Sequence, residues 1–392
     1  MEKLIEKGFI IPYYKPIKKI RPKKSRLRTL AGLTRLRLQL ENEMPQKTKH
    51  STLILGTWNI RNFDDNRFKN GPRSSEDFQY IVEIIARFDV MAIQEICNDL
   101  SALDHVIYLL GNDYDYIVTD VTEGAGGNHE RLGFIYDKNK VKFKGVAGEL
   151  VLPSKMQITH DEKKLQFSRT PFMCSFQAGW FKFLFSTVHI YFGASSGEKF
   201  DHRVKEIDKV AKFLAKRAKK DDANHILVGD FNIVKPDSKG YNALTKHGFE
   251  IYQNREGSNK DNTKFYDQIS FRTRENELQI VKSDKAKGVL QFFNSIYREE
   301  DFKAFKPDLK RTIRAKIARL EKERDKTKSE KVIKKKNKTI ASWEKVMLNE
   351  NEELKNYYLK EWRTFHGSDH LPLWVEIEID FSDAYLKKLE RS

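Results

Sequence analysis

Residues 225–232 read HILVGDFN, an apolar run that stops at a glycine and is followed by Asp230 and Asn232. A short, continuous apolar run of this kind predicts a buried strand. Because side chains alternate along a strand, two polar residues two positions apart project on the same face. Three other apolar runs end in a comparable way, at Asn59, Glu95 and His189. Strands that end in carboxylates, amides and imidazoles can gather oxygen ligands for a magnesium-like cation and acid–base groups at one phosphate-directed cleft.

The charge of the chain is concentrated in two segments. The 392 residues include 39% hydrophobic and 12% aromatic side chains, enough for a substantial core, which argues against global disorder. The net charge is +17; residues 1–50 hold 14 Lys/Arg against 4 Asp/Glu, and residues 301–366 hold 20 against 11. The rest of the chain is close to neutral. This distribution predicts an anionic partner that is gripped mainly by the two basic segments.

Cysteine content and hydropathy indicate the expected compartment. Cys97 and Cys174 are the two cysteines, which excludes a disulfide framework or a cysteine-based metal site. The apolar residues 9–11 are stopped by Pro12, so the N-terminus does not resemble a signal peptide. No apolar run reaches the length of a transmembrane segment. We therefore expect a cytoplasmic, intracellular protein, with no obligate protein partner evident from the sequence.

Composition divides the chain into three parts. Residues 1–50 are predicted to be a basic N-terminal extension, in which 27–40 could form an amphipathic helix, although a partly disordered arm is favoured over a docked helix. Residues 51–392 are predicted to form one domain, interrupted at 285–365 by a charged insertion. Sparse apolar residues at helical spacing predict a helical hairpin there, with its turn near 326–330. A solvated hairpin without a partner is the alternative for this insertion.

Within the domain, strand-like and helix-like patterns alternate. An apolar run at 53–55, a helical spacing at 78–85 and a second run at 90–93 predict a strand–helix–strand crossover unit. More strands are expected after it, with a clear helix at about 202–219. Many strands with few intervening helices favour an α/β fold of the mixed-sheet sandwich type over a barrel.

Two histidines are candidates for proton transfer. His189 and His370 each follow or precede a strand-like run, and a catalytic histidine needs a carboxylate that fixes its tautomer. Glu130 and Asp267 are the candidate partners, since each lies at the edge of a strand-like run. Simple turns and structural histidines remain the alternatives for these positions taken one at a time. Three consecutive residues cannot form a serine-hydrolase relay, which excludes that chemistry for residues 368–370.

Taken together, the polar segments resemble those of the endonuclease/exonuclease/phosphatase superfamily, and within it the deoxyribonuclease-I-like branch. The matching segments are Thr57-Trp58-Asn59-Ile60-Arg61-Asn62-Phe63, Ile93-Gln94-Glu95, Glu130-Arg131-Leu132-Gly133-Phe134, Ser186-Thr187-Val188-His189, Gly229-Asp230-Phe231-Asn232 and Ser368-Asp369-His370. The resemblance covers roughly residues 52–283 and 366–380. It implies a four-layer α/β sandwich, in which two mixed β-sheets are flanked by helices.

The resemblance also implies a role for each site residue. By position, Asn59, Glu95 and Asp369 would bind Mg²⁺, with Mn²⁺ as a possible substitute. The catalytic set would be Asp230 with two histidine–carboxylate pairs, His189 with Glu130 and His370 with Asp267. The phosphate contacts would come from Asn232 and Arg169. One departure is the Ile96-Cys97 pair after Glu95, where the branch has a basic residue, so one phosphate contact is in doubt.

These features predict a magnesium-dependent endonuclease that hydrolyses DNA phosphodiester bonds with weak sequence preference. DNA is favoured over RNA as the partner, while the choice between single and double strands and between endo- and exonucleolytic action stays open. A phosphatase or phosphodiesterase acting on phospholipids or small phosphate esters is the alternative. A non-catalytic nucleic-acid-binding scaffold is a third possibility, against which stands the fact that every key polar position is filled.

Overall fold

The computed structural model describes residues 12–122, 129–160, 163–221, 223–252, 254–274 and 277–390. The strands are β1 Thr52–Phe63, β2 Val90–Ile96, β3 Tyr114–Val118, β4 Arg131–Asp137, β5 Lys142–Glu149, β6 Ile158–His160, β7 Lys163–Leu165, β8 Phe172–Ala178, β9 Phe181–His189, β10 Asn224–Asp230, β11 Glu250–Ile251, β12 Asp267–Arg272, β13 Lys287–Val289 and β14 Leu373–Glu378. The helices are α1 Lys23–Glu43, α2 Ser75–Ile85, α3 Ser101–Leu110, α4 Gly197–Ala218, α5 Lys239–Thr245, α6 Phe302–Asp325, α7 Glu330–Leu348, α8 Glu353–Tyr357, α9 Arg363–His366 and α10 Ser382–Leu389.

Two six-stranded sheets organise the chain. The first has the strand order β13-β14-β1-β2-β4-β3, and the second has the order β11-β12-β10-β9-β8-β5. In the first sheet β1 and β2 are parallel and joined by α2; in the second, β9 and β10 are parallel and joined by α4. The remaining neighbours in both sheets are antiparallel. Both sheets are therefore mixed, and the predicted strand–helix–strand unit at the first crossover is confirmed.

The two sheets pack face to face over an aromatic core. The rings of Phe172, Phe176 and Phe185 from the second sheet pack on Phe134 of the first sheet. Phe183 lies in the same core and contacts Phe176 and Phe185. The outer face of the first sheet is covered by α1, α2, α3 and α6, and that of the second by α4 and α5. This order of helices, sheet, sheet and helices confirms the predicted four-layer α/β sandwich.

The N-terminal segment is docked on the body from residue 12 onward. Leu33, Leu36 and Leu40 of α1 are buried in the core that covers the first sheet. Arg28 of α1 also pairs with the buried Glu76 of α2, its Nε lying 3.0 Å from Oε1. The expectation of a partly disordered arm is therefore wrong for the described part of this segment, and the alternative of a docked helix is confirmed. The three leucines at helical spacing give α1 an apolar face, and its burial, together with the Arg28–Glu76 ion pair, stabilises the docked helix.

The insertion contains the predicted helical hairpin, with α6 and α7 joined at residues 326–329. One face of α6 is buried, through Phe305, Leu309 and Ile313, in the same core that holds α1. After α8 a π-helical turn, Tyr358–Trp362, and α9 return the chain to β14. In the described ranges, no helix combines the length and the apolar character needed to cross a lipid bilayer. The division of the chain into extension, domain and insertion stays a prediction.

Candidate active site

The polar strand ends lie together at one edge of the two sheets. Asn59 and Glu95 are on the neighbouring parallel strands β1 and β2, and His189 and Asp230 face each other in register on β9 and β10. Gly229 precedes Asp230 with φ +127°, and a Cβ there would lie 2.1 Å from the carbonyl oxygen of Val188. Glycine is therefore required for β10 to approach β9 this closely at the site.

Asp230 is the centre of the site and is almost completely buried. Its Oδ1 accepts a hydrogen bond from the backbone N–H of Asn232 at 2.9 Å. Its Oδ2 lies 3.2 Å from Asn59 Nδ2, 3.5 Å from His189 Nε2 and 3.7 Å from His370 Nε2. One carboxylate oxygen thus faces an amide and two imidazoles that come from both sheets.

Each of the two histidines is held by a carboxylate on its other ring nitrogen. His189 Nδ1 donates to Glu130 Oε2 at 2.8 Å, and His370 Nδ1 donates to Asp267 Oδ2 at 2.8 Å. Because Nδ1 carries the proton in both hydrogen bonds, Nε2 is the atom that can exchange a proton with a ligand. The geometry brings together both pairs predicted from the sequence.

Burial and charge act in opposite directions on the two imidazoles. Burial lowers the pKa of His370, but the carboxylates of Asp267 and Asp230 outweigh it, and the pKa is raised well above its ordinary value. For His189, burial and the Arg169 cation lower the pKa, and the carboxylates of Glu130 and Asp230 raise it. The net result is a raised pKa. Burial also raises the pKa of Asp230. Both pKa shifts favour the protonated imidazole, more strongly in His370 than in His189.

The two predicted phosphate-binding residues make internal contacts. Arg169 is buried, and its Nε lies 2.9 Å from Glu130 Oε2, so it fixes the carboxylate that orients His189. Asn232 has φ +54°, and its Nδ2 donates to the carbonyl oxygen of Ile190 at 2.8 Å. Both residues border the site, and their contact with a phosphate stays a prediction.

Asn59 and Glu95 form the candidate cation site. Asn59 Nδ2 donates to Glu95 Oε1 at 3.0 Å, and Glu95 Oε2 accepts from the backbone N–H of Asn62 at 2.9 Å. Asn59 Oδ1 is buried and, among the described residues, has no hydrogen-bond partner. A buried amide oxygen without a donor beside a carboxylate fits a Mg²⁺ ion, which takes oxygen ligands.

The third predicted metal ligand, Asp369, is placed differently. Its Oδ2 lies 3.5 Å from Arg61 Nε, in an ion pair at the rim of the site. The carboxylates of Asp230 and Asp267 and the imidazole of His370 offer another possible ligand group, with ligand atoms within 4.8 Å of one another. His370 Nδ1 is already hydrogen-bonded to Asp267. We therefore interpret these three residues as a proton-transfer group, in which Asp267 orients His370 beside Asp230, and not as a metal site.

Several residues that position the site were not singled out from the sequence. Ser368 Oγ donates to the carbonyl oxygen of Asn59 at 2.7 Å and accepts from the backbone N–H of His370 at 3.1 Å. Gln94 Nε2 donates to Thr187 Oγ1 at 2.8 Å, which joins β2 of one sheet to β9 of the other. All of these lie inside the quoted motifs, so the signal was present, but the contacts are between distant segments.

Comparison with known proteins agrees with this geometry. The model of the "Endonuclease/Exonuclease/phosphatase family" matches residues 56–274, and the chain belongs to that family. A deoxyribonuclease from Thioalkalivibrio sp. (strain K90mix) is 26% identical over 189 residues, which are 46% of this chain and 46% of that protein. Deoxyribonuclease-1 from Bos taurus is 31% identical over 120 residues, 29% of this chain and 36% of that protein. The predicted superfamily and its deoxyribonuclease-I-like branch are confirmed, although the chain spans less than half the length of these two relatives.

A solved structure shows the same fold. An endonuclease/exonuclease/phosphatase family protein from Bacteroides thetaiotaomicron superposes with a TM-score of 0.50 at 17% identity. The match covers 84% of this chain and 99% of that one.

Proposed function

We propose that this chain is an endonuclease that hydrolyses DNA phosphodiester bonds with weak sequence preference and depends on Mg²⁺, with Mn²⁺ as a substitute. The observation that carries the proposal is the convergence of two carboxylate-anchored imidazoles on Asp230 Oδ2, at 3.5 Å and 3.7 Å. The sequence relatives, which are named as deoxyribonucleases, support DNA as the substrate. The net charge of +17 supports a polyanion.

The site can move the two protons that hydrolysis requires. A water molecule attacks phosphorus and loses a proton to the Nε2 of one histidine in its neutral form, while the P–O3′ bond breaks and leaves a 5′-phosphate. The leaving O3′ takes a proton from Nε2 of the other histidine, which is in its imidazolium form. Glu130 and Asp267 hold the two rings with Nε2 directed at Asp230 Oδ2. Proton transfer by side chains positioned in this way contributes typically ~10²–10⁴-fold in rate.

The cation has a separate place in the proposal. Asn59 and Glu95, joined by Asp369 at the rim, would hold it. When bound, it would offset the negative charge that develops on the phosphoryl oxygens. Asn59 also donates to Asp230 Oδ2 at 3.2 Å, so the same amide orients the central carboxylate.

The test is nicking of a supercoiled plasmid by purified protein in Mg²⁺, in Mn²⁺ and in EDTA. We expect nicking with either cation, none in EDTA, and a loss of at least ~10²-fold in His370→Ala. His247→Ala is the matched control, because His247 also pairs with a carboxylate, Asp208, at 2.7 Å, but on the outer helical layer. Full activity of His370→Ala would refute the proposal. Hydrolysis of small phosphate esters without cleavage of DNA would instead support the phosphatase alternative.

A further inference from the structure

Helix α7 presents four lysines on one exposed face: Lys331, Lys334, Lys335 and Lys338, the α7 lysine face. Their spacing of three and four residues places them on the same side of the helix. In the part of the chain that the structure describes, none of the four forms an ion pair or a side-chain hydrogen bond. Like charges at this spacing destabilise a helix, so the face is suited to an anionic partner that neutralises it.

The other side of the hairpin is already occupied. Ile340 of α7 is buried in the core cluster that contains Ile313 and Ile317 of α6. The nearby carboxylate of Glu323 is also taken, since it pairs with Lys336 at 2.6 Å and with Arg319 at 2.7 Å. The apolar face and this carboxylate are therefore used inside the hairpin, and the lysines are left facing solvent.

The path of α6 shows where this face lies. Its first turn contacts α1, where Arg28 Nη1 donates to the carbonyl oxygen of Ala304 at 2.7 Å. Further along, Lys316 Nζ donates to Asn70 Oδ1 at 2.6 Å, in the loop that follows β1 at the active-site edge. At ~1.5 Å per residue, the nine residues from Lys316 to Asp325 carry the helix ~13 Å further. Since Lys336 of α7 pairs back to Glu323, the α7 lysine face lies on this projecting part.

We propose that the α7 lysine face binds the phosphate backbone of the DNA that extends from the active site. This rests on the proposed function, because it takes the occupant of the site to be DNA. An anionic membrane is the other polyanion with this chemistry, but a membrane-bound helix buries an apolar face in the lipid. The apolar face of α7 is used inside the insertion instead: Ile340 lies in the core with Ile313 and Ile317 of α6. Trp343 of α7 packs on Tyr357 of α8 at a ring distance of 5.1 Å. The α7 lysine face can therefore contact phosphates but cannot insert an apolar surface into a membrane.

Such contacts have a measurable signature. Each phosphate neutralised by a lysine releases counterions, and the logarithm of the affinity then falls with the logarithm of the salt concentration by ~0.9 per contact. A control of equal charge is available at the end of α4, where Lys212 and Lys216 of the helix and Lys219 and Lys220 just after it are exposed; these four are the α4 lysines. That end leads into the start of β10, whereas Asp230 is the last residue of β10, so the control lysines lie away from the site.

The experiment measures binding of a labelled DNA duplex, several helical turns long, by fluorescence anisotropy in EDTA over a range of NaCl concentrations. Two variants of the full chain are compared with the wild type: the four α7 lysines changed to glutamine, and the four α4 lysines changed to glutamine. We expect the salt slope to fall by ~2–4 in the α7 variant and to stay unchanged in the α4 variant. Circular dichroism and thermal unfolding verify that both variants are folded.

Each outcome bears on the proposal. An unchanged slope in the α7 variant, or an equal fall in both variants, overturns it, because the first excludes contact and the second indicates diffuse attraction. Co-sedimentation with phosphatidylglycerol vesicles that is lost in the α7 variant, together with an unchanged DNA slope, overturns it in favour of a membrane. Plasmid nicking in Mg²⁺ is measured in parallel. If the slope falls as expected but the wild type does not nick, the proposed function fails and the binding surface stands.

Discussion

Replacing Asp267 by asparagine removes one charge from the site and leaves its shape almost unchanged. Asp267 Oδ2 accepts from His370 Nδ1 at 2.8 Å; the Asp267 side chain is buried and that of His370 is 12% exposed. A hydrogen bond to a charged partner contributes ~1.5–3 kcal/mol, so losing the Asp267 charge lowers the pKa of His370. An asparagine can also present its N–H₂ group to Nδ1 and select the wrong tautomer, a change that costs ~10⁴-fold in a comparable relay. We therefore expect Asp267→Asn to lower the nicking rate by ~10²–10⁴-fold.

The pH dependence follows from the same hydrogen bond. The folded-state pKa of His370 is raised, after the opposing effect of burial, by Asp267 and Asp230. Without the Asp267 charge, the protonated form is lost at a lower pH than in the wild type. Whichever limb of the pH–rate profile reports His370 should therefore move to lower pH in Asp267→Asn.

The assay is the initial rate of plasmid nicking at saturating Mg²⁺ across a pH series. Asp208→Asn is the matched control, since Asp208 accepts from His247 Nε2 at 2.7 Å outside the site. We expect the control to nick like the wild type. A rate for Asp267→Asn within a few-fold of the wild type, with an unmoved pH profile, would contradict the assignment of Asp267 as the residue that positions His370.

Two further predictions concern the cation and the N-terminal helix. Glu95→Gln should raise the Mg²⁺ concentration for half-maximal nicking by ~10-fold or more, because it removes the charge beside Asn59. The control Glu250→Gln, at an exposed position, should leave this concentration unchanged. An unchanged Mg²⁺ titration in Glu95→Gln would contradict the cation site. Leu36→Ala should lower the free energy of unfolding by ~2–5 kcal/mol, because Leu36 is 0% exposed. Leu38→Ala, at a position 59% exposed on the same helix, should change it by ~0.5 kcal/mol or less; equal effects in urea unfolding would show that α1 is not docked.

Elements buried on both faces were predictable from the sequence, and edge elements were not. The cores of β1, β2 and β10 are continuous apolar runs because each lies in a sheet covered on both sides. The sequence of β5 carries no strand pattern, because Lys142–Glu149 is an exposed edge strand that pairs with β8 alone and few of its residues need to be apolar. Docking of α1 depends on Glu76 and on core residues far along the chain, and local periodicity carries no information about such partners.

The types of site residue and the two histidine–carboxylate pairs were predictable, and the contacts between the two sheets were not. Polar residues at strand ends point to an active edge, and the two histidine–carboxylate pairs follow from the family resemblance. The contact of Asn59 with Asp230 joins two different sheets, and no spacing along the chain encodes it. Glu95 adopts φ +62°, a left-handed backbone conformation that is uncommon for residues other than glycine. The sequence of β2 does not indicate it.

The hydrogen bond from Gln94 to Thr187 joins the two sheets of the sandwich beside the candidate active site. Because each sheet supplies part of the candidate active site, the alignment of the site residues depends on the distance between the two sheets. A substitution in the phenylalanine core between the sheets, at Phe134 for instance, can therefore lower the nicking rate without unfolding the protein. A lower nicking rate in a variant that stays folded would show that this core sets the distance between the sheets as well as stabilising the fold.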